Sequence, residues 1–271
     1  MRRAVKIILA LLLVTALSGC ARVSQKQDSW STIKQRKTVV IGMDDSFVPM
    51  GFRQKNGKLA GYDIDLARAV FKRYGIKVDF QTIDWSMKET ELKNQTIDLI
   101  WNGYTVNHER AKKVAFSDTY LQNHQVLVSD KKAHIDSVND MKGKTLGVQT
   151  SSSGLTSLDA QPQLLKDKIA KKTPVLYDNF NEAFLDLQAG RIQGLLIDSV
   201  YAKYYLAHLK NGDRYRVTAT PFQPEDFAVG MRKSDKTLQK KINQAFAALY
   251  RDGTMRRISE KWFGEDDTVK P

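Results

Sequence analysis

Polar residues that can bind charged groups follow three short apolar segments of this 271-residue chain. Arg110 ends the polar stretch Asn102–Arg110, Gln149–Gly154 is a stretch rich in hydroxyl groups, and Asp198 follows the apolar run at 194–197. A guanidinium group offers a fork of donors that suits an anion, and a carboxylate suits an ammonium group. Hydroxyls and backbone N–H groups at the start of a helix can also hold an anion. The three segments therefore contain the groups for an anion site and a cation site.

Each of these features also has a purely structural interpretation. Arg110 could lie exposed and pair with Glu109 or with solvent, although an arginine in the first turn of a helix gains nothing from the helix dipole. The turn at 151–154 could simply cap a helix, and it lacks the Gly-Lys-Ser/Thr ending of a phosphate-binding P-loop. Asp198 could be a helix cap in the same way. Taken singly, the segments leave both interpretations open.

Two aromatic residues, Phe47 and Trp85, lie in predicted turns rather than on apolar stripes. They could enclose a ligand side chain, although each taken alone could also belong to the core. Combined with Arg110, Asp198 and the hydroxyl-rich turn, they match a zwitterion that carries a carboxylate at one end and an ammonium group at the other. That description fits a free amino acid.

Strands alternate with helices along both halves of the chain, which predicts an α/β fold with mostly parallel sheets. The predicted elements of the first half are strands at 38–42, 77–82 and 97–101 and helices at 63–75 and 87–93. Those of the second half are strands at 144–148, 192–197 and 227–232 and helices at 183–189 and 234–250. Two similar lobes with a ligand cleft between them are the economical interpretation. The C-terminal segment is expected to return to the first lobe.

The first 19 residues have the pattern of a secretory signal peptide, with basic residues, an apolar run and small residues before Cys20. The ending Leu17–Cys20 resembles the bacterial lipobox, in which the cysteine sulfur is lipidated and the signal is cut before Cys20. Residues 20–36 are polar and rich in Gln and Ser, which predicts a lipidated, flexible tether. We therefore expect a protein on the extracytoplasmic side of the cell membrane, anchored there by lipid.

Composition argues against several other classes of protein. The net charge is +13, but the basic residues are scattered and form no nucleic-acid-binding motif, so we expect no nucleic acid partner. Cys20 is the only cysteine, which leaves no intrachain disulfide and no cysteine-based metal site. The four histidines form no cluster with metal-ligand spacing. We expect a monomer without a metal or a cofactor.

The chain resembles the polar amino acid-binding lipoproteins of ABC importers, which are extracellular solute-binding proteins of family 3 and include glutamine-binding and lysine/arginine/ornithine-binding proteins. The resemblance covers residues 37–265 and rests on motifs at Gly61–Ala67, Thr105–Arg110, Phe116–Tyr120 and Lys261–Gly264. It implies a two-lobed, type II periplasmic-binding-protein-like fold with two hinge crossovers, near 120–126 and 222–227. Lobe 1 would comprise 37–122 and 223–266, lobe 2 would comprise 123–222, and 267–271 would be a tail.

The resemblance also implies a role for each residue that would hold the charged ends of the ligand. Arg110 would bind the α-carboxylate with both guanidinium nitrogens, helped by the backbone N–H groups of Thr105 and Ser153. Asp198 would bind the α-ammonium group together with the carbonyl of Gly103 and the hydroxyl of Thr105.

For the ligand side chain, Phe47 and Trp85 match the aromatic walls of the family's pocket, and Asp44 matches a position that faces the side chain. Gln149 stands where many relatives carry a basic residue, and Ile197 stands where the glutamine binder has a polar ring. Both departures are expected near the ligand side chain. Arginine, histidine, cystine and glutamine therefore all remain open as ligands.

Three acidic residues, Asp44, Asp45 and Glu225, favour a ligand with a polar or cationic side chain. The expected function is capture of such an amino acid between closing lobes and its delivery to a membrane permease, which a cytoplasmic ATPase drives. An enzyme on the same scaffold, such as a dehydratase, is an alternative, but the sequence contains no nucleophile–base pair with catalytic spacing. A ligand sensor is a further alternative, but it would need a membrane span and an output domain that this sequence does not show, whereas an adhesin would be compatible with it.

Overall fold

Two five-stranded sheets organise residues 28–271, the part of the chain that the computed structural model describes. The predicted signal peptide, Cys20 and the first part of the predicted tether lie outside the described residues. No helix between residues 28 and 271 combines the length and the apolar character needed to cross a membrane.

The first sheet combines strands from the N-terminal part of the chain with one strand from near the C-terminus. Its strands are β1 (Thr38–Met43), β5 (Lys77–Thr82), β6 (Leu99–Ile100), β7 (Ala115–Phe116) and β15 (Gly230–Met231), and they lie in the order β5-β1-β6-β15-β7. The helices around it are α1 (Trp30–Arg36), α2 (Tyr62–Lys72), α3 (Lys88–Lys93), α4 (His108–Lys113), α8 (Lys236–Arg251) and α9 (Thr254–Phe263). Helices α2, α8 and α9 pack against one another, so the C-terminal segment does return to the first lobe.

The second sheet is built from the middle of the chain. Its strands are β9 (Gln125–Asp130), β10 (Leu146–Gln149), β11 (Val175–Tyr177), β12 (Gly194–Asp198) and β13 (Tyr215–Ala219), and they lie in the order β11-β10-β12-β9-β13. The helices of this lobe are α5 (Ser153–Ala160), α6 (Phe180–Gln188) and α7 (Ser199–His208). The α/β class and the two-lobed architecture expected from the sequence are confirmed.

Each sheet contains one reversed strand, β15 in the first and β9 in the second, whereas the other four run in one direction. The sheets are therefore mixed. Both reversed strands come directly after a strand that crosses between the lobes. A strand that enters a lobe from the cleft runs away from the cleft. Its direction is therefore opposite to that of the strands that end at the cleft.

The two crossing strands are β8 (Leu121–Asn123) and β14 (Glu225–Phe227), and they pair antiparallel with each other. Asn123 lies opposite Glu225 in this pair. The single strand predicted for 227–232 is wrong, because β14 ends at Phe227 and β15 begins only at Gly230. The chain passes from the hinge into the first sheet between them.

A small sheet beside the cleft holds one of the predicted aromatic residues. Its strands are β2 (Ser46–Phe47), β3 (Gly51–Arg53) and β4 (Leu59–Ala60). Gly61 follows β4 with φ +145°, and a Cβ atom there would lie 2.2 Å from the carbonyl oxygen of Met50. Only glycine fits this close approach, which sets α2 against the small sheet.

The prediction of a flexible tether through residue 36 is wrong for residues 30–36, which form helix α1. Ile33 is fully buried, and the ring of Trp30 contacts the edge of Tyr74 with centroids 5.1 Å apart. Residues three apart lie on the same face of a helix, so these two apolar side chains suffice to dock a short helix. The polar composition around them hides this pattern in the sequence.

Candidate functional site

A small cavity lies between the two lobes. The residues that line it are Asp44, Phe47, Trp85, Asn102, Gly103, Arg110, Gln149, Ser152, Ser153, Phe180 and Asp198. Every predicted ligand-binding residue except Thr105 is part of this lining. The fold therefore brings together side chains that the sequence places far apart.

Arg110 is a buried cation at one wall of this cavity. The side chain of Asn107 caps α4 by accepting a hydrogen bond from the backbone N–H of Arg110 (2.8 Å), which fixes the start of the helix. The Arg110 side chain is only 6% exposed, and its guanidinium lies 4.5 Å from the ring centroid of Tyr104. The alternative of a surface pair with Glu109 is wrong, because Glu109 pairs with Lys112 at 2.6 Å.

The guanidinium of Arg110 contacts both lobes through backbone carbonyl groups. Nη1 donates to the carbonyl of Thr105 at 2.9 Å, and Nη2 donates to the carbonyl of Ser151 at 3.3 Å. Arg110 forms no ion pair with a carboxylate among the described residues. Its positive charge is thus held in the cavity wall by neutral acceptors, which leaves it able to bind a ligand anion.

The hydroxyl-rich turn combines helix capping with a place in the cavity wall. The hydroxyl of Ser152 accepts a hydrogen bond from the backbone N–H of Leu155 (3.1 Å) and so caps α5. Ser151 has φ +58°, which turns the chain sharply before the helix. Ser152 and Ser153 both line the cavity. The first N–H groups of a helix have no partners within it, so this wall presents donors that suit an anion.

Asp198 ends β12 and is a buried carboxylate at the same cavity. It accepts hydrogen bonds from the side-chain amides of Asn123 and, at 2.9 Å, of Gln125. It makes no side-chain cap to α7, so the alternative of a simple helix cap is wrong. Burial raises the pKa of Asp198 to about 7, and the nearby carboxylate of Glu225 acts in the same direction. A cationic partner would stabilise the ionised form.

Glu225, on hinge strand β14, is the central acceptor of the site and was not among the predicted site residues. It is 9% exposed. Its Oε2 lies within hydrogen-bond distance of four side chains, those of Thr105 (3.1 Å), Asn123 (3.2 Å), Gln125 (3.1 Å) and Ser153 (3.0 Å). The sequence offers one signal for it, an acidic residue in a predicted crossover strand. Glu225 shares its donors Asn123 and Gln125 with Asp198, so it belongs to the Asp198 wall of the cavity.

Thr105 is buried next to the cavity lining, between Arg110 and Glu225. Its hydroxyl contacts Glu225, and its carbonyl accepts from Arg110. Gly103 lines the cavity with φ +57°, and a Cβ atom there would lie 2.5 Å from the ring of Phe47. The carboxylate of Asp63 accepts a hydrogen bond from the Gly103 N–H at 2.7 Å, which holds this turn in place. Thr105 and Gly103 thus lie between the two charged walls.

Aromatic rings form a third wall. Phe47 packs against Phe180 and Tyr201, with both pairs of ring centroids 5.7 Å apart. Trp85 meets Tyr104 edge-on at 6.0 Å. Phe47 and Trp85 come from the first lobe and Phe180 from the second, so the rings enclose the cavity from both sides.

Asp44 and Gln149 meet across the cleft at the end where a ligand side chain was expected. Nε2 of Gln149 donates to Oδ2 of Asp44 at 3.1 Å, and Ser46 donates to the same carboxylate through N–H and O–H. Burial raises the pKa of Asp44 above its ordinary value. Two expectations are wrong here. Asp45 pairs with Arg53 outside the cavity lining, and Ile197 is fully buried in the core.

Lys88 is a second buried cation near the cleft, and nothing in the sequence pattern indicated it. It is 1% exposed, and its Nζ donates to the carbonyl of Trp85 (2.9 Å) and to that of Ser151 in the other lobe (3.1 Å). Burial, with a smaller effect from the charge of Arg110, lowers the pKa of Lys88 to about 7. The Ser151 carbonyl therefore accepts hydrogen bonds from two cationic side chains of the first lobe, those of Arg110 and Lys88.

The site as a whole has donors and a cation at one wall, two carboxylates at another and aromatic rings between them. Within residues 28–271 no group of three or more His, Cys, Asp or Glu side chains could hold a metal ion. The chemistry of the walls is that of recognition of a small zwitterion by paired charges and hydrogen bonds.

Comparison with known proteins agrees with this chemistry. The chain is 53% identical to a substrate-binding protein of an ABC uptake transporter from Streptococcus pneumoniae whose structure contains bound histidine, with a TM-score of 0.87 over 90% of this chain and 99% of that one. It is 29% identical to an L-cystine-binding protein of Escherichia coli over 98% of this chain and 97% of that protein. It is 25% identical to an arginine-binding extracellular protein of Bacillus subtilis over 97% of this chain and 98% of that protein.

The family model for bacterial extracellular solute-binding proteins, family 3, matches residues 39–265. That span includes both sheets except their first residue, Thr38, together with both hinge strands and every residue that lines the cavity. The chain therefore belongs to the bacterial extracellular solute-binding proteins of family 3.

Proposed function

We propose that this protein is the substrate-binding lipoprotein of an amino acid ABC importer and that it captures a polar or cationic L-amino acid between two closing lobes. The observation that carries the proposal is the presence of a buried guanidinium, Arg110, and a buried carboxylate, Asp198, at one cavity between the lobes. Arg110 belongs to the first lobe and Asp198 to the second. A ligand that bridges them stabilises the closed form.

In the proposed complex, the α-carboxylate pairs with the Arg110 guanidinium and accepts from the N–H groups of Thr105 and Ser153. The α-ammonium group pairs with Asp198 and donates to the Gly103 carbonyl and the Thr105 hydroxyl. Charge-assisted hydrogen bonds of this kind are roughly twice as strong as neutral ones. Every L-amino acid carries these two groups, so this part of the site accepts the whole class.

The ligand side chain extends between Phe47, Trp85 and Phe180 toward Asp44 and Gln149. A carboxylate and an amide at the end of an aromatic slot suit a ring or chain that donates hydrogen bonds. Histidine is the first ligand to test, since the Streptococcus pneumoniae relative, which shares 53% of its residues, holds histidine. Arginine, cystine and glutamine follow.

The closed protein then presents the amino acid to a membrane permease with its cytoplasmic ATPase. Lipid on Cys20 holds the protein to the extracytoplasmic face of the cell membrane, and the protein acts as a monomer without catalytic turnover. Cys20→Ser is expected to release the protein from the membrane fraction or to leave an uncleaved precursor. Metabolic labelling with a fatty acid checks this, and an unlabelled wild type contradicts it.

Isothermal calorimetry of the purified protein with L-histidine, L-arginine, L-cystine and L-glutamine tests the proposed ligand class. The methyl ester and the N-acetyl derivative of the best ligand serve as controls, because each lacks one α-charge. A true ligand at about a hundredfold excess over Kd stabilises the fold by about 2.7 kcal/mol, which a thermal-shift assay detects. Equal binding of the blocked derivatives, or conversion of the ligand during incubation, would overturn the proposal.

A further inference from the structure

The carboxylates of Asp198 and Glu225 are two like charges held together in a buried hinge. They come from different elements, strand β12 and hinge strand β14, and both are at most 9% exposed. The amide nitrogen of Asn123 contacts both carboxylates. The amide nitrogen of Gln125 also contacts both, at 2.9 Å to Asp198 and 3.1 Å to Glu225. The two acids thus share their donors.

The charged groups around this pair do not balance two negative charges. The positive charge of Arg110 opposes the rise in the pKa of Asp198 that burial causes, but the Arg110 guanidinium donates its hydrogen bonds to two backbone carbonyls and not to a carboxylate. Lys88 lies farther along the cleft, where it donates to Trp85 and Ser151. The other groups that contact Asp198 and Glu225 are amides and hydroxyls, which are neutral. Two buried carboxylates without a paired cation do not both ionise at neutral pH.

Resting on the function proposed above, we propose that Asp198 and Glu225 share one proton before the ligand binds and that the α-ammonium group of the amino acid replaces it. The O–H bond of the shared carboxyl breaks, the proton leaves to the buffer, and the ligand ammonium then neutralises the charge that remains. Glu225 is in this view a positioning residue, which acts on the ligand through Asp198, Thr105 and Ser153.

Two consequences follow for binding. Proton release approaches one per ligand below the pKa of Asp198, which burial and the Glu225 charge raise to about 7. Above that pH the Asp198 carboxylate is already ionised and the release falls to zero. Affinity therefore weakens by up to about tenfold for each pH unit below 7.

Calorimetry in two buffers of different ionisation enthalpy counts the protons released. We would titrate the full chain with L-histidine, L-arginine and L-glutamine near pH 6 and near pH 8.5. The wild type should release close to one proton at the lower pH, and the Glu225→Gln variant should release fewer, because the second carboxylate no longer raises the pKa of Asp198. The side chains of arginine and glutamine do not titrate in this pH range, whereas that of histidine does. Protons released on binding arginine or glutamine therefore come from the protein and not from the ligand side chain.

Two further variants identify the source of the proton. Asp226→Asn changes the next residue of the same hinge strand, whose side chain is exposed, and should release protons like the wild type. Lys93→Met removes an exposed lysine outside the cavity lining and should also release protons like the wild type. Binding without proton release in the wild type, or undiminished release in Glu225→Gln, overturns the inference alone. Failure of all three amino acids to bind overturns the proposed function as well.

Discussion

At the scale of single residues, the site separates two tasks. All four of Arg110, Asp198, Asp44 and Gln149 line the cavity, and in the proposed complex the first two hold the charged ends that all amino acids share, whereas the other two face the variable side chain. Glu225 connects the first group to the hinge through its contacts with Thr105 and Ser153. Substitutions in the two groups should therefore change affinity and selectivity in different ways.

Arg110→Ala is expected to weaken binding of every amino acid, whatever its side chain. The change leaves the ligand carboxylate desolvated without its partner, which costs about 2–5 kcal/mol. This corresponds to about 30- to 3,000-fold in Kd, which calorimetry measures directly. Asp198→Ala should have a similar effect through the ammonium group.

The exposed neighbour Lys112 on the same helix provides the control for Arg110. Lys112→Ala should bind like the wild type, and circular dichroism of all three variants should match, because these side chains serve the cleft or the surface. If Arg110→Ala binds within about threefold of wild type, the site does not hold the α-carboxylate as proposed.

Asp44→Asn is expected to weaken cationic ligands far more than neutral ones, since an amide cannot reproduce a charge-assisted hydrogen bond. Burial raises the pKa of Asp44, so the carboxylate is neutralised earlier on acidification than an exposed acid. The preference of the wild type for arginine over glutamine should accordingly fall as the pH is lowered. Competition assays at several pH values check this.

Asp45→Asn is the matched control for Asp44, because Asp45 pairs with Arg53 outside the cavity lining. It should leave selectivity unchanged. Equal losses for arginine and glutamine in Asp44→Asn would mean that Asp44 does not distinguish the charge of the ligand side chain.

At the scale of elements, the site is assembled from chain ends that meet at the cleft. Asp198 ends β12, Gln149 ends β10, and Arg110 belongs to a helix that follows β6. Both hinge strands then lead into a strand of reversed direction. The parallel strands thus deliver polar residues to the cleft, while the reversed strands connect the two lobes.

The sequence predicts those elements that have a strong local pattern. Strand β1, helix α2 and the long helix α8 follow from apolar periodicity, and the residues after β6, β10 and β12 follow from their position at strand ends. Glu225 and Lys88 could not be found in this way, because their roles depend on burial and on partners far along the chain. Helix α1 was missed because its docking face consists of only two apolar residues, Trp30 and Ile33.

Ile33→Ala tests the docking of helix α1. Ile33 is fully buried, so loss of its side chain should lower the free energy of unfolding by about 2–5 kcal/mol. Urea unfolding followed by fluorescence measures the change. Gln35→Ala, at an exposed position of the same helix, should alter the stability by about 0.5 kcal/mol or less. Equal stability of Ile33→Ala and wild type would mean that α1 does not contribute to the folded core.

At the scale of the whole molecule, the lobes are joined by direct contacts across the cleft as well as by the hinge. Gln149 reaches Asp44, Arg110 and Lys88 both reach the Ser151 carbonyl, and Phe47 packs against Phe180 and Tyr201. These contacts join the lobes through the protein's own groups. The balance between open and closed forms should therefore depend on them, and a change in that balance alters the apparent affinity.

Lys88→Met is expected to shift this balance toward the open form. Methionine keeps much of the side-chain bulk but removes the hydrogen bond from Nζ to Ser151, and a hydrogen bond to a charged group contributes about 1.5–3 kcal/mol. Small-angle scattering of the ligand-free protein should show a larger radius of gyration, and Kd should rise by about tenfold or more. Thermal unfolding should not show a loss of stability, because a buried ammonium group is replaced by an apolar one.

Lys93→Met, at an exposed position of the same helix α3, should leave both the scattering and the affinity unchanged. If Lys88→Met and wild type have the same radius of gyration and the same Kd, the contact with Ser151 does not stabilise closure.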